Sequence, residues 1–260
     1  MSESVASDFE EPVRILSDLH LAHPATLIET IDSLRPLVAG AKTVVFNGDT
    51  CELHCAAWRE AGVERLAELK NLCSEEGARA VFLPGNHDPD IAGQGWCDLA
   101  GGSLFLTHGH AIFPHVAPWS HEYLRRKREI WRIIRERQLA EEDLAYHLET
   151  TRLVTEALKP DRARYRGKKG RSYLLSAFWP PARCFHILRV WLTMAGMADR
   201  FLTRFRPAAR VMLFGHFHHA GIWRRNGRTL CNTGAFMRGS RQLLAESSAG
   251  SLRVFRVIGE

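Results

Sequence analysis

Apolar and polar positions alternate in short blocks along most of the chain, and each apolar block ends on residues that suit chemistry better than packing. Val13-Arg14-Ile15-Leu16-Ser17 is a β-rich run that stops at Asp18-Leu19-His20. Thr43-Val44-Val45-Phe46 stops at Asn47-Gly48-Asp49, and Arg79 to Leu83 stops at Pro84-Gly85-Asn86-His87-Asp88. Ser103-Leu104-Phe105-Leu106 leads into Thr107-His108-Gly109-His110, and Val211-Met212-Leu213-Phe214 leads into Gly215-His216-Phe217-His218-His219. Between these runs the apolar spacing lengthens to that of a helix. Leu27, Ile31 and Leu34 predict a short helix within Ala25 to Val38, and Val63, Leu66, Leu69 and Leu72 predict one that ends at Gly77. Toward the end, Ile222 to Leu230 reads as a hairpin, because Asn226-Gly227 suits a type I′ turn. Gln242 to Ala245 and Ser251 to Val257 predict a final antiparallel pair. Short strands alternating with helices predict a layered α/β core.

The segment from Ala111 to Arg206 breaks this rhythm. His121 to Gln138 and Glu141 to Leu158 predict two helices, the first densely basic. A loop rich in Arg, Lys and Gly follows, Arg162 to Arg171. Tyr173 to Phe205 then holds Phe178, Trp179, Phe185, Trp191 and Met194. Pro180-Pro181, Arg183 and Arg189 interrupt that stretch too often for a bilayer span. The expected organisation is a core of residues 1–110 and 207–260, with 111–206 as a helical insertion. Charge follows the same division: the insertion has 20 Lys and Arg against 10 Asp and Glu, in a chain with 35 against 29. The basic character thus belongs to the insertion. Met1 to Pro12 has neither the basic nor the apolar region of a secretory signal. The six cysteines are scattered without a Cys-x-x-Cys pair, which reads as reduced thiols in a cytoplasmic protein.

The strand-end residues are Asp18, His20, Asp49, Asn86, His87, His108, His216 and His218. Asp18 and His20 stand two apart, so an extended chain points both to one side, and His216 and His218 repeat that spacing. Two carboxylates, an amide oxygen and several imidazoles suit a pair of divalent ions such as Mn²⁺, Fe²⁺ or Zn²⁺ without any thiolate. Asp49, central in the set, is the natural carboxylate to bridge two ions, and such a pair can clamp the attacking and leaving oxygens of a phosphoryl displacement.

In this order and at these strand ends, Asp18-x-His20, Gly48-Asp49, Gly85-Asn86-His87-Asp88, His108-Gly109-His110 and Gly215-His216-x-His218 resemble the calcineurin-like metallophosphoesterases. The resemblance implies a four-layer αββα sandwich carrying the insertion as a cap. It implies that Asp18, His20, Asp49 and His218 hold one metal and that Asp49, Asn86, His108 and His216 hold the second. In-line attack on phosphorus by a hydroxide held between the ions would follow. His87 would protonate the leaving oxygen or steady the developing charge, Asp88 would orient that ring, and His110 would stand behind the ligands, contact substrate or be structural. Glu52 and His219 are expected at most behind the ligands. His54, His115, His121, His147 and His186 are expected at the surface or in the core.

The implied substrate is a phosphodiester, pyrophosphate or phosphomonoester of a small molecule, with Mn²⁺ first among the metals. Gly48-Asp49-x-x-Glu52 and the long insertion are similar to the UDP-2,3-diacylglucosamine pyrophosphatases, which would make the substrate a lipid-linked nucleotide. Against that branch, His87 and His110 stand where it carries Arg and Asp. The insertion is open to three readings: a lid, a peripheral contact with the inner face of a membrane, or a structural subdomain. A basic segment also attracts nucleic acid, but its aromatics do not interleave with the basic run as stacking platforms would.

Overall fold

The structure is a computed structural model that describes residues 9–137, 143–159 and 181–257. Two five-stranded sheets face each other. The first runs in the order β10 (Ser251–Arg256), β9 (Leu243–Ser248), β1 (Val13–Leu16), β2 (Thr43–Asn47), β3 (Arg79–Leu83). The second runs β4 (Trp96–Leu99), β5 (Leu104–Thr107), β6 (Val211–Phe214), β8 (Arg228–Asn232), β7 (Gly221–Arg225). β1, β2 and β3 are mutually parallel, as are β5, β6 and β8, so their carboxyl ends share one edge.

Period-two alternation decides which core each side chain enters. Val13, Ile15 and Val45 from the first sheet meet Leu104, Leu106 and Leu213 from the second between the layers. The opposite face of the first sheet, with Leu16, Val44 and Phe46, packs on Leu69 and Leu72 of α2 (Arg59–Glu75). The opposite face of the second, with Phe105, Met212 and Phe214, packs on α5 (Pro181–Phe205) through Met194, Phe201 and Leu202. Helix, sheet, sheet and helix make the four expected layers.

The expected helix over Ala25 to Val38 is mostly absent. A 3-10 turn, Ile31–Leu34, runs into the four-residue α1 (Arg35–Val38). Before it the backbone is spent elsewhere: the Leu27 N–H donates to Phe236 O at 2.8 Å, and the Thr26 hydroxyl donates to Leu19 O at 2.9 Å. β4 was not anticipated; it is four residues long and is held antiparallel to β5. The hairpin β7–β8 turns through Asn226 and Gly227 with φ of 47° and 75°, as a type I′ turn requires.

The segment 111–206 divides physically. α3 (His121–Arg137) and α4 (Leu144–Ala157) pack on each other around Tyr123, Ile130, Ile134 and Val154, a small core of their own. α5 instead forms the outer layer of the second sheet, so much of it belongs to the sandwich. Gln138, Glu141, the loop Arg162 to Arg171, Tyr173, Phe178 and Trp179 lie outside the described residues. Cys51, Cys55, Cys73, Cys97 and Cys231 are buried free thiols.

Candidate metal centre

The parallel strands deliver their terminal residues to one edge, where ligands of open α/β sheets gather. The chain does not arrive there extended. Asp18, His20, Asp49, His216 and His218 have φ between 49° and 69°, in the left-handed region that L-residues rarely use. Each such residue carries a conformational cost, and such residues cluster at functional sites. Two motif glycines follow from crowding at this edge: a Cβ on Gly85 would overlap the Asp49 carboxylate, and one on Gly215 would overlap that of Asp18.

Asp49 is the centre of the arrangement. Its Oδ1 accepts the His87 backbone N–H at 2.7 Å. Its Oδ2 lies 3.8 Å from His20 Nε2 and 3.2 Å from His108 Nε2. On one side, Asp18 Oδ1 is 3.3 Å from His218 Nε2, which is 3.1 Å from His20 Nε2. On the other, Asp49, His108 and His216 bring ligand atoms within 4.8 Å of one another. Asn86 Oδ1 is buried with no hydrogen-bond partner. An orphaned buried amide oxygen beside converging carboxylates and imidazoles is what a divalent cation would satisfy, so the donor set fits a metal pair.

Supporting hydrogen bonds fix which nitrogen faces inward. His108 Nδ1 lies 3.0 Å from Asn47 O, which leaves Nε2 for the centre. His216 Nε2 is 3.0 Å from Val116 O, which leaves Nδ1. His20 Nδ1 and His87 Nδ1 both reach Glu52, at 2.9 Å and 2.8 Å, one ring on each carboxylate oxygen. Glu52 thus stands behind His20, as expected, and fixes the His87 ring as well. Asp88 does not orient His87. Its carboxylate accepts the backbone N–H groups of Asp49 (3.0 Å), Thr50 (2.7 Å), Cys51 (3.2 Å) and Gly85 (2.8 Å), and so ties the two strand-end loops together.

The electrostatics follow from this crowding. Burial alone would raise Asp49, but His108 and His87 outweigh it and hold the carboxyl well below its ordinary range. Burial likewise opposes charge on His87, yet Glu52 and Asp49 raise the ring to about 10. His108 rises to about 9 by the same contest, with Asp49 and Asp18 prevailing over burial. His216 falls to about 3, because burial and the neighbouring His108 both disfavour its charge.

A cleft of about 420 Å³ opens on this centre, lined by Asp49, Asn86, His87, His216 and His218 at the ligand end. His87 and His218 keep 33% and 32% of their side chains exposed, while the other ligand carboxylates and rings are buried. His110 is not on the cleft. It is buried behind the ligands, 5.3 Å from the His108 ring and 6.2 Å from His216, and burial holds it well below its ordinary pKa. Three other histidines do line the cleft: His54, His121 and His23, the last with its ring 4.9 Å from Trp58. His23 escaped the sequence reading because no motif spacing marks it. His219 stacks on Trp191 of α5 at 4.6 Å, and the same indole donates to Phe217 O at 2.9 Å, clasping the Gly215–His219 loop.

An αββα sandwich with a two-cation ligand set at the carboxyl edge of its sheets defines a class of metal-dependent phosphoesterases. The chain belongs to the calcineurin-like phosphoesterase family, whose sequence pattern matches residues 11–220. No curated protein matches it. Among solved structures, it is similar to a dimetal phosphatase from Danio rerio, with 11% identity, TM-score 0.46, and coverage of 95% of this chain and 96% of that one. It is also similar to a single mutant of Vps29 from Entamoeba histolytica, with 15% identity, TM-score 0.42 and coverage of 94% and 97%. The phosphopantetheinyl hydrolase of Mycobacterium tuberculosis is 12% identical, with TM-score 0.37 and coverage of 86% and 89%.

Proposed function

We infer that the protein hydrolyses a phosphodiester, pyrophosphate or phosphomonoester of a small molecule, with two divalent cations, Mn²⁺ first and Fe²⁺ or Zn²⁺ as alternatives. The observation that carries this is the single oxygen Oδ2 of Asp49, reached from His20 on one side and His108 on the other. Asp18, His20, Asp49 and His218 would hold one cation; Asp49, Asn86, His108 and His216 would hold the other. Bound there, the cations supply charge to the phosphoryl oxygens and bring a water's pKa toward neutrality.

The chain's own groups account for the rest. Glu52 engages His87 Nδ1 and leaves Nε2 as the nitrogen available to a substrate. In the metal-free protein Glu52 and Asp49 favour the protonated ring, and with Nδ1 held by Glu52 it is Nε2 that would give a proton to the departing oxygen. Asp88 keeps the Asp49 and Asn86 loops in register. A cleft of about 420 Å³ suits a small molecule and is too confined for a nucleic acid duplex.

A second reading, a lipid-linked nucleotide as substrate, is favoured by the apolar wall of the cleft, where Trp58, Trp119, Ile187, Val190 and Trp191 stand. One panel tests both: the Mn²⁺-loaded protein against a bis-aryl phosphodiester, an aryl phosphate and a UDP-linked diacyl-glucosamine, with Asp49→Ala as control. Turnover of any of the three that vanishes in the control is expected. UMP release from the third would select the lipid reading, and no turnover of any would refute both.

A further inference from the structure

Helix α5 presents three faces, and two are already accounted for. Met194, Ala198 and Leu202 are buried on the second sheet. Arg183, Ile187 and Trp191 stand on the wall of the metal cleft. The third face carries Phe185, Leu188 and Leu192, which are 66%, 54% and 77% exposed. Their spacing of i, i+3 and i+7 sets them in one stripe along the helix. None of the three joins any of the four apolar clusters of the described residues. Single exposed leucines are ordinary, whereas a contiguous apolar stripe marks an interaction surface.

The exposed charges of α5 have one sign. Arg189, Arg200 and Arg204 of α5 are exposed. The helix's one acid, Asp199, is buried, with Arg228 Nη1 at 3.2 Å and Asn226 Nδ2 at 2.6 Å. The adjoining strand β7 adds Arg224 and Arg225, both exposed, and the Arg225 guanidinium lies beside Gly196 of α5. A second copy of this chain would bring arginines against arginines. An anionic lipid surface brings phosphates to the arginines and an acyl boundary to the apolar stripe. No helix among the described residues is long and apolar enough to cross a membrane, so α5 would lie in the interface plane.

We propose that the Phe185–Leu188–Leu192 face of α5 docks the protein onto an anionic lipid surface. Ile187 and Trp191 of the same helix line the cleft, so docking sets the mouth of the cleft at the lipid boundary. That consequence rests on the hydrolase reading; the docking itself does not.

The test is sedimentation of the full chain with vesicles of phosphatidylcholine alone and of phosphatidylcholine mixed with phosphatidylglycerol. The wild type is expected to sediment with the mixed vesicles, not the neutral ones, and to be released by salt. Leu188→Glu with Leu192→Glu is expected to weaken that binding by roughly tenfold or more. Its melting temperature and its hydrolysis of a water-soluble bis-aryl phosphodiester should stay at wild-type values, because neither leucine lines the cleft. Arg189→Glu with Arg200→Glu keeps the stripe and is expected to weaken binding as well. The proposal is overturned if the wild type ignores anionic vesicles, if the leucine variant binds them equally, or if light scattering shows a wild-type dimer that the leucine variant dissolves. Vesicle binding without any hydrolase activity would refute the hydrolase reading and support docking.

Discussion

Replacing Glu52 by Gln tests the most consequential contact that motif spacing alone did not reveal. The buried carboxylate accepts from His20 Nδ1 at 2.9 Å and from His87 Nδ1 at 2.8 Å. Glutamine keeps the shape but has one acceptor oxygen, and its NH₂ cannot accept from the other ring. One ring must therefore turn or switch tautomer, and both lose a charge-assisted bond of about 1.5–3 kcal/mol. With His20 holding a cation as proposed, the loss should fall on the metal: an affinity for Mn²⁺ reduced about 10–100-fold, or about 1.4–2.7 kcal/mol. At saturating Mn²⁺ turnover should still be depressed, because Glu52 is the strongest of the charges that raise His87. Calorimetric titration with Mn²⁺ measures the first effect, and bis-aryl phosphodiester hydrolysis at saturating metal measures the second. A Glu52→Gln protein within twofold of wild type in both would refute the role given to this residue.

Asp88→Asn is expected to lower stability by at least about 2 kcal/mol, read from chemical denaturation, since an amide cannot accept the four N–H groups now held. A variant of unchanged stability with lost turnover would instead make Asp88 a partner of the catalytic ring. Gly215→Ala forces a methyl group onto the Asp18 carboxylate and should abolish binding of at least one Mn²⁺ while lowering the melting temperature; a fully loaded variant would show the loop to be slack. In the metal-free protein His108 is raised to about 9, so a cation that enters near neutral pH must displace its proton. Adding Mn²⁺ in weak buffer should therefore acidify the solution. The folded pKa exceeds the unfolded 6.5, so this ring's stabilisation is complete below about 6.5 and lost as pH rises through 9. Melting temperatures of the metal-free protein should fall over that window, and a flat profile would contradict the charge balance described.

Strand ends were legible because they combine two independent signals, an apolar run and an abrupt set of donor residues. Val13, Ile15 and Val45 point to one core and Leu16, Val44 and Phe46 to another, as two-residue periodicity demands. Loop geometry was less legible. Asp18 and His20 share a side because both adopt positive φ, not because the chain is extended. Asp88 follows His87 directly, yet its carboxylate turns toward backbone N–H groups, while Glu52, distant in sequence, reaches the ring. Such pairings depend on how two loops pack across β2 and β3, and residue spacing carries no trace of that. The place of α5 within the segment 111–206 was illegible for a related reason. The buried stripe of α5 looks the same in sequence whether it covers a sheet or builds a separate cap, and only the facing residues, Phe105, Met212 and Phe214, distinguish the two.

The dinuclear centre is tested most directly by counting metal. Wild-type protein equilibrated with Mn²⁺ and freed of excess should hold two ions per chain by elemental analysis. Asp49→Ala, which removes the shared oxygen, should hold fewer and lose hydrolysis. One ion in the wild type, or two ions with full hydrolysis in Asp49→Ala, would contradict a centre built on Asp49.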